Sequence, residues 1–237
     1  VKIELSNELL KTELQPRFYM WNTEKEKWVA LATKIEGNTV ETYGEVDGYV
    51  AVFGVKQPSF DDIKGDEWFI EKLDRANGFA LIEGIEDGEQ LKLEPNKELT
   101  RKELYTMVAR IFGAVPKGQT SLYNELDFID EGQGSDWYIP YLQEFHNAGI
   151  IDKEFSKEQA DEKVTRLEAL ELLTKMLNRV ENVDTLDLSK FNDVDNVNVR
   201  IASVVDGFPD GTLRLNNNLS RIEVITIIVN VLEELGW

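Results

Sequence analysis

Three six-residue stretches constrain this chain more than anything else in it: LTRKEL (99–104), VTRLEA (164–169) and LSRIEV (219–224). Each sets a hydroxyl residue, an Arg, a variable residue and a Glu ahead of an apolar pattern. Counting from Thr100, the apolar residues are Leu104, Met107, Val108, Ile111 and Phe112. From Thr165 they are Ala169, Leu172, Leu173, Met176 and Leu177, and from Ser220 they are Val224, Ile227, Ile228, Val231 and Leu232. One buried helical stripe has this spacing. Three equal stripes meet most simply around a common pseudo-threefold axis, because one copy alone cannot bury its face.

The hydroxyl and the Glu form a capping box. The hydroxyl accepts from the amide three residues on, and the Glu accepts from the amide of the cap. Each such cap is worth about 1 kcal/mol. The Arg has no such explanation. Arg101, Arg166 and Arg221 fall at the first helical position, where a cation opposes the helix dipole at a cost of roughly 0.3–1 kcal/mol. Repeated in one register, it calls for an anion. Two readings stand side by side. In one, free helix-start amides and a planar guanidinium grip an outside carboxylate. In the other, each Arg pairs with an Asp of a neighbouring copy: Asp62, Asp130 or Asp193, each two residues after an opening Phe.

The copies open at Phe60, Phe128 and Phe191, and the distance from that Phe to the hydroxyl is 40, 37 and 29 residues. The spans are 59–114, 125–180 and a shortened 190–236, with connectors near 114–127 and 179–190. Residues 1–56 differ. RFYMW (17–21), KWVALAT (27–33), NTVETYG (38–44) and GYVAVFGV (48–55) read as strands, rich in aromatic and β-branched residues and separated by turn signals. Three or four short strands make part of a sheet, so this segment reads as the C-terminal part of a β-sandwich in a piece of a longer chain.

Charge and composition narrow the function. Forty-five acidic residues against 26 basic ones give a net charge of −19, which argues against a nucleic-acid partner and against attraction to anionic lipid. There is no Cys and a single His, His146, so thiolate chemistry and a His-based metal site are excluded. No apolar run approaches the ~18 residues of a membrane span. DVDNVN (193–198) begins like a calcium loop but lacks the Gly and Glu such a loop needs, so no metal is expected. No spacing marks a catalytic pair of carboxylates, so no enzyme and no cofactor are expected.

Phe-x-Asp, a following Trp, GFPDGT (207–212) and the three Thr/Ser-Arg-x-Glu caps together resemble S-layer homology domains, in three tandem copies over about residues 59 to 236. The resemblance implies an α+β multidomain chain: a β-rich segment, then an all-α three-repeat pseudotrimer around a central helical bundle. It implies a bacterial cell-surface module that anchors an exported protein non-covalently to the cell wall. Its partner would be a secondary cell wall polysaccharide whose pyruvyl ketals supply carboxylates, with lateral contacts to other surface proteins open. The ligand-binding candidates are then Arg101, Arg166 and Arg221, with Gly207 and Gly84 in loops and Trp68 and Trp137 as stacking rings. For the two Trp residues, core packing is the competing and preferred reading. Gly207 and Gly211 read as residues of a tight turn needing positive φ. The alternatives are a structural or S-layer assembly module without glycan binding, or an ancillary piece of an exported polysaccharide hydrolase.

Overall fold

The structure is a computed structural model. It describes residues 1–6, 11, 13–23, 26–42, 48–79, 81–82, 84–111, 137–152, 154–180, 184–194 and 201–236. The chain divides into two compact units. The first is Val1–Glu94 with Tyr105–Ser156, and the second is Pro95–Leu104 with Lys157–Trp237.

The first unit opens with six strands: β1 (Lys2–Glu4), β2 (Gln15–Asn22), β3 (Lys27–Ala30), β4 (Thr33–Glu36), β5 (Thr39–Thr42) and β6 (Val50–Val55). They form two antiparallel three-stranded sheets, ordered β1-β5-β4 and β3-β2-β6. Alternation sets the inner faces. Leu5, Phe18, Met20, Leu31 and Val40 are buried together, with Ile3, Val29, Val50 and Val52 packed against them. Among its described residues the segment therefore carries six strands in two sheets over a core of its own, where sequence patterning gave three or four strands as the C-terminal part of a β-sandwich. KWVALAT in particular is two strands. The chain leaves one sheet at Ala30 and enters the other at Thr33, whose hydroxyl accepts from the Phe18 amide (2.9 Å) and donates to the Leu31 carbonyl (2.8 Å). These bonds satisfy backbone groups at the crossing that no ladder serves.

The rest of the first unit holds α1 (Ile70–Gly78), a hairpin of β7 (Ile85–Asp87) and β8 (Gln90–Lys92), and α3 (Ile139–Asn147). The hairpin lies inside the span read as all-α. Its strands of three residues are too short for periodicity to show, although Asp87-Gly88 is a turn signal and Gly88 has φ +64°. The helix α2 (Arg101–Ile111) gives its first turn to the second unit and the remainder to the first. In the first unit Tyr105 packs against Phe145 and Phe155.

The second unit contains α4 (Lys157–Asp161), α5 (Arg166–Val180), a short 3-10 turn at Leu188–Lys190 and α6 (Arg221–Glu234). Ala169, Leu172, Leu173, Met176 and Leu177 on α5, and Val224, Ile227, Ile228, Val231 and Leu232 on α6, are all buried. Leu104, Met107, Val108 and Ile111 of α2 are buried as well; Phe112 lies outside the described residues.

The three cap segments meet in this unit through a closed ring of main-chain hydrogen bonds. The Leu99 amide donates to the Leu219 carbonyl, Leu219 to Val164, and Val164 back to Leu99, each at 3.0 Å. Two residues further on, the Arg101 amide donates to Glu162 (3.0 Å), Arg166 to Asn217 (2.9 Å) and Arg221 to Lys97 (2.8 Å). Each copy thus hands its helix-start donor to the next copy, in the cyclic sense opposite to that of the Leu99, Val164 and Leu219 amides.

Candidate functional site: Arg166 beside the GFPDGT loop

The ring decides what the helix starts can do. The amides at the first helical position go to Glu162, Asn217 and Lys97, and those of Leu167 and Ile222 go to Leu215 (2.8 Å) and Pro95 (3.0 Å). The amides of Glu168 and Glu223 go to the cap hydroxyls of Thr165 (3.3 Å) and Ser220 (3.4 Å). The amides of the first three helical residues in the second and third copies are therefore already used, because neighbouring carbonyls and the cap hydroxyl satisfy donors that a lone helix leaves open.

Each capping Glu holds its own cap through one oxygen, and Glu168 turns its other oxygen to the Arg of the preceding copy. Glu168 Oε2 accepts from the Thr165 amide (2.8 Å), while Glu168 Oε1 accepts from Arg101 Nε (3.1 Å) and Nη2. Arg101 Nη1 also reaches the Glu162 carboxylate and the Gln159 carbonyl. Burial would lower the Arg101 pKa, but the bonds to Glu168 and Glu162 outweigh it and raise it. Arg101 is thus an internal ion pair, with Glu in place of the Asp anticipated. Asp62 instead accepts from the amides of Leu93 and Glu94 (both 2.8 Å), and Asp193 from those of Leu213 (2.8 Å) and Arg214 (2.7 Å). Asp130 lies outside the described residues. Burial would raise the Glu103 pKa, but the Thr100 amide and hydroxyl outweigh it and lower it, helped by the charges of Lys97 and Arg221.

Arg166 departs from the pattern. It is 7% exposed, and among the described residues no carboxylate lies within ion-pair distance of it. Nη2 donates to the Asp206 carbonyl (3.3 Å), and Nε is buried with no acceptor. Burial pushes its pKa down; Glu223 pulls it up, and Arg214 pushes it down again. The guanidinium carbon lies 5.2 Å from the Phe208 ring centre, and that of Arg214 lies 3.9 Å from the same ring. A desolvated cation without a counter-ion is costly, and cation–π contact repays only about 1–2 kcal/mol of it.

Residues 207–212 build the rest of this site. The Phe208 amide donates to the Thr212 carbonyl (2.8 Å) and the Gly211 amide to the Phe208 carbonyl (2.9 Å). Gly211 has φ +77°, as a tight turn requires. Gly207 has a different reason to be Gly: a Cβ there would stand 2.1 Å from Phe191 Cε1. Asp210 caps Thr212 and pairs with Arg214 (2.8 Å), bonds that lower its pKa to about 2. Phe208, Arg214 and Glu223 were not singled out in the sequence as site residues. Phe208 stood inside the quoted GFPDGT loop and Glu223 in a capping box, but only folding brings Arg214 onto the Phe208 ring.

The other candidates lie elsewhere. Gly84 packs on Leu91, with a Cβ position only 2.4 Å from that side chain, so its smallness serves packing. Trp68 and Trp137 are 72% and 50% exposed, which overturns the preferred core reading. Each ring meets its neighbour, Phe69 or Tyr138, edge-on and leaves half or more of its residue's surface in solvent. Among the described residues no group of acidic or His side chains could hold a metal, and no helix is long and apolar enough to cross a membrane.

No family model matches the chain. It is similar to an amylopullulanase of Thermoanaerobacterium thermosulfurigenes, 23% identical over 233 residues, covering 92% of the chain and 12% of that protein. It is 27% identical over 157 residues to an S-layer protein of Bacillus thuringiensis subsp. finitimus and to the S-layer protein sap of Bacillus anthracis, covering 66% of the chain and 18% of each. The chain therefore spans less than a fifth of the length of these relatives. Proteins of the bacterial surface layer are among its relatives, in agreement with the S-layer homology signature of its motifs. Kinship of this kind belongs to an extracellular, cell-surface protein.

Proposed function

We propose that the chain anchors a surface protein non-covalently to the bacterial cell wall, by capturing a carboxylate of a wall polysaccharide at Arg166. The observation that carries this reading is a buried guanidinium with no carboxylate at ion-pair distance among the described residues, beside a Gly-containing loop and an aromatic ring. A carboxylate fits it twice over, as counter-ion and as the acceptor that Nε lacks. A pyruvyl ketal on a sugar supplies a small carboxylate on an otherwise neutral ligand, which a chain of net charge −19 admits more readily than a polyanion. The same reading takes the three copies as an S-layer homology pseudotrimer, and the cyclic bonds at Leu99, Val164 and Leu219 support it. No catalysis is proposed for these residues.

A second reading keeps the repeats as a structural or assembly module. Arg101, held by Glu168 and Glu162, favours it for that copy. Binding to purified wall polysaccharide, with and without its pyruvyl groups, separates the two. Arg166→Met should weaken binding by about 30-fold or more, the scale of a lost buried charge pair. Removing the pyruvyl groups should do the same to the wild type. Wild-type affinity in Arg166→Met, or indifference to the pyruvyl group, would reject the carboxylate reading.

A further inference from the structure

The outer face of the β3-β2-β6 sheet carries a second feature, independent of Arg166. Phe18 and Met20 point into the core, so Tyr19 and Trp21 point out. The register places Trp28 opposite Trp21, and Ala30 and Ala51 on either side of Tyr19. Tyr49 stands beside Trp21, whose amide donates to the Tyr49 carbonyl (2.9 Å). The small Ala30 and Ala51 leave room for Trp28 and Phe53 to meet across the central strand. The rings form one connected series: Trp21–Trp28 at 5.4 Å, Trp28–Phe53 at 5.3 Å and Phe53–Tyr19 at 5.3 Å, inclined at 60–81°. Each ring is braced by the edge of its neighbour, so the surface is set before any ligand arrives.

This surface is open to solvent. Trp28, Phe53 and Tyr49 are 37%, 39% and 78% exposed. With 150–250 Å² per aromatic side chain, they leave roughly 200–400 Å² uncovered. A stable protein partner needs about 800 Å² on each side, so the patch is too small for a second copy of the chain or for another protein. It suits a ligand a few rings long. Charge narrows the choice further. In a chain with 45 acidic residues, the outward positions Arg17, Tyr19, Trp21, Trp28, Ala30, Tyr49, Ala51 and Phe53 include no carboxylate, and their one cation, Arg17, is engaged by the Asn77 carbonyl (2.5 Å). A neutral ligand that is flat and apolar on its faces and hydroxylated at its rim matches such a surface. Pyranose rings have that form.

We infer that the outer face of the β3-β2-β6 sheet binds a neutral polysaccharide chain by stacking sugar rings on Trp28, Phe53 and Tyr49. The chain would then hold two glycans by different chemistry: a carboxylate at Arg166 and uncharged rings at the sheet.

The test titrates the full chain with α-1,4-glucohexaose, β-1,4-glucohexaose and β-1,4-xylohexaose, read by tryptophan fluorescence and calorimetry. At least one should bind saturably. Trp28→Ala should weaken that binding by about tenfold or more, and Trp28→Tyr, which keeps a ring, should retain most of it. Arg166→Met should bind the hexaose like the wild type, so failure at one site is distinguishable from failure at the other. Circular dichroism of Trp28→Ala checks that the core, which Trp28 does not enter, is intact. No binding of any hexaose at about 10 mM, unchanged affinity in Trp28→Ala, or self-association of the wild type that Trp28→Ala abolishes would each overturn the inference.

Discussion

Arg101 lies against Glu168, the residue that closes the capping box of the following copy, with Arg101 Nε 3.1 Å from Glu168 Oε1. One carboxylate thus secures two copies, holding the Thr165 amide with one oxygen and the Arg101 guanidinium with the other. Burial would raise the Glu168 pKa, but the Thr165 amide and Arg101 outweigh it and lower it below the ordinary 4.5. A carboxyl depressed in the folded state stabilises the fold above its unfolded pKa, and that stability is lost as pH falls through the folded value. Glu168→Gln should therefore cost about 1–2 kcal/mol at neutral pH, a figure discounted because the pair is partly wet. Chemical denaturation across pH should show the deficit shrinking below about pH 4.5. An equal deficit at pH 3 and pH 7 would contradict this account.

Arg166 should behave in the opposite way. Its charge is buried without an ion-pair partner among the described residues, and Met keeps most of its volume. Replacing a desolvated, poorly compensated charge by an apolar side chain is often neutral or stabilising, by about 1–2 kcal/mol. Arg166→Met should therefore hold or raise the melting temperature while weakening wall binding, whereas Arg101→Met should lower the melting temperature. Equal destabilisation by both would show that Arg166 is held by the fold and not kept for a ligand.

Gly207 offers a test of the loop that carries Phe208. A Cβ at this position would come within 2.1 Å of Phe191 Cε1 and 3.0 Å of the Thr212 carbonyl oxygen. Gly207→Ala should cost about 1–3 kcal/mol, the usual scale of overpacking. Phe191→Leu in the same chain should recover part of that loss. A double-mutant cycle that is additive within ~0.3 kcal/mol would rule out the contact as the cause.

Asp62 and Glu94 test the turn that precedes the first cap. Asp62 accepts from the amides of Leu93 and Glu94, and Glu94 has φ +51°. Asp193 and Arg214 repeat the arrangement, with φ +52° at Arg214. Asp62→Ala should cost about 1–2 kcal/mol through its two lost acceptors. Glu94→Gly should gain up to about 1 kcal/mol by relieving a left-handed residue. Thermal unfolding of the two variants measures both signs, and a loss in Glu94→Gly would contradict the assigned backbone.

Local chemistry, written in the sequence, determined the three helix starts, the capping boxes and the buried stripes. A hydroxyl three residues from a Glu, and apolar residues at helical spacing, act over one or two turns and need no distant partner. Tertiary structure alone decided which Arg meets a carboxylate among the described residues. Arg101 and Arg166 stand in the same motif at the same register, yet one meets Glu162 and Glu168, and the other meets Phe208, Arg214 and a carbonyl. Those neighbours lie 40 to 67 residues away in the chain, and no periodicity encodes them. The same holds for the saturated amides and for the aromatic outer face of the β3-β2-β6 sheet. Both arise from which backbone carbonyl or strand comes to lie alongside, and long-range packing sets that.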